Sequence, residues 1–410
     1  MKITFITGHL CKERHALLHE LACDLGEYGA DVTVLTGYPS RRISKEIRDY
    51  YLNNPVEQIA KNVVVKRIGS KKGEGKGLFI RMIKYLFLTR RLYKEALKTP
   101  TDVYYLYSSP PFLGYIGCKL NKKAPTVYNA QDLFPETLVY IKHVSNNNLA
   151  IKWFRNKERK VYQENSRIIT ISHDMKKTIR DVGVSEDKVD VIYNWADVDS
   201  LHYVARKDNK LIDELGIDKQ KFIISYAGDI GLFQGWDIIL EAAEILQKEN
   251  PNVLFAIIGS GSYKEQFLEN IEKKQLKNIQ VFPLQSASRL SEIYCIGDIE
   301  LVPIEKGITK IALPSKTGVI MSCSKPVLAL VDENSELEKV INENKLGVAI
   351  EHGDAIRLAK AITTCYENKE ELENWGKNAR EFAVNNFSRK VQTKKYYDII
   401  EYLANSKRAK

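Results

Sequence analysis

The chain has 410 residues, of which 44% are hydrophobic and 28% charged, with a formal net charge of +10. Two domains are expected at that length, with the composition of a soluble globular protein. No apolar run reaches the roughly 18 residues of a spanning helix, and the six cysteines (Cys11, Cys23, Cys118, Cys295, Cys323, Cys365) form no C-x-x-C pair, which argues against a disulfide framework or a metal cluster.

The first half alternates strands and helices. KITFIT (2–7) reads as a buried first strand rather than the apolar core of a signal peptide, so the chain is expected to stay in the cytoplasm. A helix over 16–28 and the strand DVTVLTG (31–37) follow, then a polar loop through 40–60. VVVKRI (63–68) is a strand and GSKKGEGKG (69–77) a mobile glycine-rich loop. In the helix over about 78–98, Phe79, Met82, Ile83, Leu86, Tyr93 and Leu97 recur at helical spacing and predict a core face. Arg81, Lys84, Arg91, Lys94 and Lys98 fall on another face. Strands DVYYLYS (102–108) and TVYNAQD (126–132) precede a helix near 149–164, strand RIITIS (167–172), helix 173–182 and strand KVDVIYN (188–194). Such alternation implies parallel βαβ units with right-handed crossovers.

The second half repeats the scheme. Strands FIISYAG (222–228), VLFAIIG (253–259), IQVFP (279–283), IELVPI (299–304), PVLAL (326–330) and GVAIE (347–351) alternate with helices over 235–249, 263–274, 286–295, after 316, and 335–344. Helices near 354–367, 370–385 and 388–405 close the chain. The expected fold is α/β, with two Rossmann-like doubly wound parallel-sheet domains facing a cleft. The expected divisions are 1–195, 196–387 and a last helix in 388–410.

Ligands of open α/β sheets bind beyond the carboxyl ends of the strands. There, YAGDIGLFQGW (226–236) places Gly228 and Gly231, and IIGSGSYKEQF (257–267) places Gly259, Gly261 and Lys264. Glycine admits a ligand close to the backbone, though a glycine after a strand is more often only turn chemistry. Pro314, Ser315, Lys316 and Thr317 stand where a helix begins. That pattern suits a diphosphate, with Lys316 as an exposed neutralising cation; a helix start with a surface lysine is the plainer alternative. In NAQDLFPET (129–137), Asp132 ends a strand, as a base or hydroxyl-orienting group would, or as a turn or cap aspartate. Glu136 reads as a first-turn helix residue.

Together VTVLTGYPS (32–40), SSPPFLG (108–114), NAQDLFPET, VIYNWADVD (191–199), YAGDIGLFQGWDIILEAA (226–243), IIGSGSYKEQF, GDIELVPI (297–304) and LPSKTGVIMSCSKPVLA (313–329) resemble the family 4 retaining glycosyltransferases of capsule and O-antigen synthesis, in particular their N-acetyl-L-fucosaminyltransferase-like branch. The resemblance implies a GT-B fold, a UDP-sugar donor held by the C-terminal domain, a polyprenyl-diphosphate-linked acceptor on the N-terminal domain, and no cofactor or catalytic metal. It puts Gly8, His9, Ser109 and Asp132 on the acceptor side, and implies a last helix that crosses back to the N-terminal domain. It implies transfer of an acetamido-sugar, with Asp132 and Lys316 in catalysis.

The departures are specific. The first loop, GHLCKERH (8–15), has few small residues; Asp229 and Gln234 replace the arginine and lysine usual after the first strand of the C-terminal domain; and Ile311 and Val319 stand where the wider family has paired glutamates. These losses move the phosphate-neutralising role onto Lys316, with Lys264 as a second cation. They also keep open a catalytically silent scaffold subunit, and a UDP-sugar 2-epimerase is the alternative of the same fold. Residues 61–98 hold 12 basic and 2 acidic residues. The reading is contact with an anionic membrane surface, hence a peripheral position on the inner face of the cell membrane; a solvated basic face is the alternative. Nucleic acid is not an expected partner, since no recognition motif accompanies the charge.

Overall fold

Residues 1–39, 43–71, 78–110, 112–136, 139, 148–311 and 313–408 are described by a computed structural model of the chain. They form two compact units, Met1–Tyr193 with Gln392–Lys410, and Asn194–Val391. Residues 72–77 of the glycine-rich loop lie outside the described residues.

The N-terminal unit is built on β1 (Lys2–His9), β2 (Asp31–Gly37), β3 (Val56–Ala60), β4 (Val63–Arg67), β5 (Val103–Tyr107), β6 (Thr126–Ala130), β7 (Arg167–Thr170) and β8 (Val189–Val191). They lie in the order β3-β4-β2-β1-β5-β6-β7-β8. Helices cover both faces of a parallel sheet, so its central strands read as unbroken apolar runs; Ile3 to Leu35 of β1 and β2 are largely buried for that reason.

The sheet is mixed, which corrects the purely parallel expectation. The supposed polar loop through 40–60 contains a helix, Lys45–Asn53, and the edge strand β3, which pairs antiparallel with β4. Ser44 caps that helix by accepting from the Ile47 amide at 3.3 Å. As an edge strand, β3 is solvated on one side and carries Glu57 and Gln58, so it lacks the apolar signature of its neighbours. Glu57 pairs with the buried Arg67 at 2.9 Å, and the Arg67 guanidinium lies 4.3 Å from the Tyr51 ring centroid.

A second correction concerns the helix Leu78–Ala96. Thr89, Leu92 and Ala96 face the core, whereas Met82, Ile83 and Leu86, assigned to it from spacing, are exposed. Leu97, just past the helix, is exposed too, and Tyr93 is half-buried. Ile80 and Phe87 are also exposed, Phe87 by 66%. Apolar periodicity finds an apolar face; it does not say whether protein covers that face. Of Phe79 only the backbone is described.

The second unit has β9 (Phe222–Asp229), β10 (Val253–Ser260), β11 (Ile279–Phe282), β12 (Ile299–Pro303), β13 (Val327–Val331) and β14 (Gly347–Glu351), all parallel. The order β11-β10-β9-β12-β13-β14 is the doubly wound 3-2-1-4-5-6 arrangement. Its direction of winding reverses between β9 and β12. In the first unit the reversal falls between β1 and β5. The expected helix over 286–295 resolves into a short 3-10 turn, Ala287–Arg289, and Leu290–Tyr294.

The last helix, Arg389–Arg408, has its residues from Gln392 onward in the first unit. Tyr396 is buried there, its hydroxyl accepting from Asn129 Nδ2 at 3.1 Å, and Tyr28 Oη and Thr393 Oγ1 lie 3.2 Å apart. No helix among the described residues is long and apolar enough to cross a membrane.

Candidate active site

In the second unit the strand reversal carries an aromatic platform. Tyr226 on β9 is fully buried and packs edge-on against Trp236, with centroids 5.0 Å apart; Trp236 packs in turn on Phe267 at 4.7 Å. Trp236 Nε1 donates to the Gly231 carbonyl at 3.0 Å, and the Tyr226 hydroxyl donates to the Asp229 carbonyl at 2.6 Å. The core thus fixes the turn 228–235 and one face of the Tyr226 ring. On that ring lies the amine of Lys316, 3.7 Å from the centroid.

Lys316 is not the exposed cation that its position suggested. Its Nζ is covered and has no hydrogen-bond partner among the described residues. Burial brings the ammonium down to about 7, while Glu300 and Asp229 act to raise it. An ammonium held over an aromatic face is favoured by the ring quadrupole, but its three donors remain unspent. The helix it opens, Lys316–Ser322, is only seven residues long. The Thr317 amide and hydroxyl both turn back onto the Pro314 carbonyl, at 3.2 and 3.0 Å. Ser315 is exposed and does not cap the helix with its side chain. The positive charge at this turn therefore comes from Lys316 rather than from a long helix dipole.

The glycines divide by role. Gly228 lies at φ +148°, and a Cβ there would stand 3.4 Å from Lys316 Nζ and 3.3 Å from the Tyr226 hydroxyl. It lines the amine directly. Gly259 and Gly261 face the neighbouring turn instead: a Cβ would fall 2.4 Å from the Gly228 carbonyl oxygen at the first and 2.3 Å from the Ile230 carbonyl oxygen at the second. These two let the ends of β9 and β10 touch. A Cβ on Gly231 would meet Asp229 Oδ2 at 2.5 Å. Lys264 donates to the Gly259 carbonyl at 3.4 Å, so it secures the same turn.

Sequence reasoning missed two residues here. Tyr226 stands beside the glycines of its turn in the sequence, and nothing in the one-dimensional pattern puts its ring beneath Lys316. Glu300, fully buried on β12, accepts a hydrogen bond from Ser225, and burial raises its carboxyl well above the ordinary range. A glutamate inside the apolar run IELVPI was the available signal.

In the first unit the reversal brings together Gly8 and His9 at the end of β1, Ser109 after β5, and Asp132 after the adjacent β6. The Gly8 amide donates to the Ser109 carbonyl at 3.1 Å, and a Cβ on Gly8 would collide with Pro110 Cδ at 2.3 Å. Gly8 is therefore needed for close approach of two strand ends. His9 is half-buried, with its ring 6.1 Å from that of Tyr85. Asp132 is open to solvent at the tip of its turn, yet incomplete hydration raises its carboxyl above the usual range. The Gln131 amide donates to Ser108 Oγ at 3.2 Å and so ties that turn to the end of β5. Glu136, at the start of the following helical turn, is held by Arg155 through two bonds of 2.6 and 2.7 Å.

Comparison with known proteins agrees with this architecture. Residues 15–200 match the family described as Glycosyltransferase Family 4, and residues 207–382 match Glycosyl transferases group 1. Over 265 residues the chain is 25% identical to "Probable glycosyltransferase WbjE" of Pseudomonas aeruginosa, covering 65% of each protein. Over 194 residues it is 31% identical to "Putative colanic acid biosynthesis glycosyl transferase WcaI" of Escherichia coli K12, covering 47% of each. The matches thus span less than two thirds of the length of these two curated relatives. Among solved structures, Anabaena Alr3699/HepE in complex with UDP and glucose superposes over 98% of this chain and 100% of its own, with TM-score 0.70 and 16% identity. WaaG, a glycosyltransferase involved in lipopolysaccharide biosynthesis, does so over 97% and 99%, with TM-score 0.69 and 15% identity. At these identities the likeness shows the fold, which is GT-B.

Proposed function

We propose that this GT-B chain, whose two halves match glycosyltransferase families, transfers a sugar from a UDP-sugar to a lipid-linked saccharide during capsular or O-antigen polysaccharide synthesis, with retention at the anomeric carbon. The observation that carries the reading is the covered amine of Lys316, which has no hydrogen-bond partner among the described residues, at the strand reversal of the second unit. A buried amine with unspent donors suits an anionic ligand, and HepE, of the same fold, is described in complex with UDP.

In the reaction the bond from the anomeric carbon to the diphosphate oxygen breaks. A bond from that carbon to an acceptor hydroxyl oxygen forms on the same face. Negative charge grows on the departing diphosphate, and Lys316 stabilises it. Fixed groups in a water-poor site are the ones that gain most in a transition state. Asp132 orients the acceptor hydroxyl and takes its proton; a carboxyl raised by desolvation is a better base than an ordinary one. The donor sugar in this reading is an acetamido-sugar.

The lipid-linked acceptor brings the protein to a membrane face. Supporting that part is the helix Leu78–Ala96, which exposes Ile80, Met82, Ile83, Leu86 and Phe87 beside Arg90, Arg91 and Lys94. An apolar strip flanked by cations is the pattern of a helix that lies on an anionic bilayer surface. The reading is tested by incubating the protein with a panel of UDP-sugars, with and without a polyprenyl-diphosphate saccharide. Product that needs both substrates supports it. Conversion of donor alone to its 2-epimer would replace it with the epimerase alternative. Failure to bind any UDP-sugar would leave the scaffold role.

A further inference from the structure

The turn that carries Asp132 is gripped by one face of a single helix, Leu149–Glu164. Glu158 Oε1 accepts the Phe134 amide at 3.1 Å and the Tyr162 hydroxyl at 2.6 Å. One helical turn earlier, Arg155 holds Glu136 through both carboxylate oxygens. Next to Arg155 on the same helix, the Phe154 ring packs edge-on against Phe134, centroids 5.2 Å apart. Three contacts therefore fall on two residues, Phe134 and Glu136, two and four positions beyond Asp132. Of these, the Glu158 bond is the one made to the backbone of the turn itself.

From this geometry we infer that Glu158 is a positioning residue for transfer: its carboxyl oxygen fixes the Phe134 amide, and through it the direction in which Asp132 faces the acceptor. The inference rests on the reading of Asp132 as the group that acts on the acceptor hydroxyl. Glu158 is half-buried, and burial raises its carboxyl to about 8, against hydrogen bonds from Tyr162 and Phe134 that lower it. The groups facing it are Tyr162 and, through Glu136, Arg155 on its own helix; Glu136 on the turn; Tyr128 on β6; and Tyr115 on the helix Leu113–Leu120. At pH 7 the carboxyl is mainly neutral and presents the same acceptor oxygen that a glutamine would. Above pH 8 its charge joins that of Glu136 next to a turn that already carries Asp132.

The test is steady-state kinetics of the full chain at saturating donor, at pH 7, for the wild type, Glu158→Gln, Glu158→Ala and Asp132→Asn. Hydrogen exchange at the Phe134 amide is followed in parallel. Glu158→Gln is expected to match wild-type kcat within about twofold at pH 7, as an amide oxygen accepts the same bonds. Glu158→Ala is expected to lose about tenfold or more in kcat, with the donor KM unchanged and Phe134 exchange faster. The inference is overturned if Glu158→Ala keeps its kcat, or if Glu158→Gln falls as far as Glu158→Ala at pH 7. A slow Asp132→Asn with a normal Glu158→Ala sinks the inference alone. A normal Asp132→Asn removes the reading beneath it, and the inference goes too, even where faster Phe134 exchange shows that the grip is real.

Discussion

The two strand reversals of this molecule are built to opposite specifications. In the second unit a lysine amine lies on an aromatic ring that is itself locked by Trp236 and Phe267, and a glycine lines its side. In the first unit a carboxylate stands at an open turn, and the exposed side chains of that unit include a row of large apolar residues. On the proposed function, the contrast follows from the chemistry each would meet. Charge on a leaving diphosphate is best met by groups that need no reorganisation. In the same reading an acceptor hydroxyl on a lipid-borne saccharide would enter and leave through an open site, and apolar surface on that unit would suit a bilayer.

The largest effect that would break this division belongs to Asp132. Asp132→Asn should lower turnover by about a hundredfold or more while UDP affinity stays within experimental error. A variant with normal turnover and weakened UDP binding would show that the two units had been given each other's roles. Next comes Lys316. Lys316→Met keeps the apolar stem over Tyr226 and removes the charge, and should weaken UDP binding by about 1.5–3 kcal/mol, the range for a charged hydrogen bond. Titration calorimetry measures it, and the melting temperature should not fall, because a buried unpaired amine is a cost to the unliganded fold.

Gly228→Ala comes third. Its Cβ would press on Lys316 Nζ and the Tyr226 hydroxyl at a backbone angle that L-residues avoid. About 1–3 kcal/mol of strain is the expected cost, read as a lower melting temperature together with poorer UDP affinity; loss of neither would mean the turn is looser than described. Changing Ile83, Leu86 and Phe87 to Ser should abolish most sedimentation with anionic vesicles, since burial of each large apolar side chain gives about 1.5–3 kcal/mol. Changing Arg90, Arg91 and Lys94 to Gln removes about 1 kcal/mol per charge and the salt dependence with it. If neither set matters, the first unit's apolar face has another occupant. Smallest of all, EDTA should leave transfer unchanged, because in this account Lys316 carries the diphosphate charge; a loss restored by a divalent cation would shift that role away from it.

Much of this architecture was legible before any geometry. Thirteen of the fourteen strands among the described residues were expected close to their observed limits, because buried parallel strands such as Phe222–Asp229 announce themselves as apolar runs between polar or turn residues. The missing strand, β3, is an edge strand with a polar face, and edges carry little of that signal. Asp132 and Gly228 could be singled out because they follow strands, and Lys316 because it opens a helix. What could not be read was which groups these residues touch. Lys316 looked like a surface cation, since its cover comes from Tyr226, ninety residues away in the chain. Gly259 and Gly261 looked like room for a ligand, whereas they are room for another turn. The apolar face of Leu78–Ala96 was visible and its destination was not.

The most direct test of the central claim is the pH dependence of UDP binding by wild type and Lys316→Met, followed by calorimetry from pH 6 to 9. The free amine loses its proton as pH rises through about 7, and a diphosphate prefers the ammonium. Wild-type affinity should therefore fall as pH rises above 7, by up to about tenfold per unit, until the higher pKa of the bound state is passed. Lys316→Met should bind weakly at every pH and, once the titration of UDP itself is subtracted, show no such slope. Equal affinities for the two proteins at pH 6, or the same slope in both, would contradict the account.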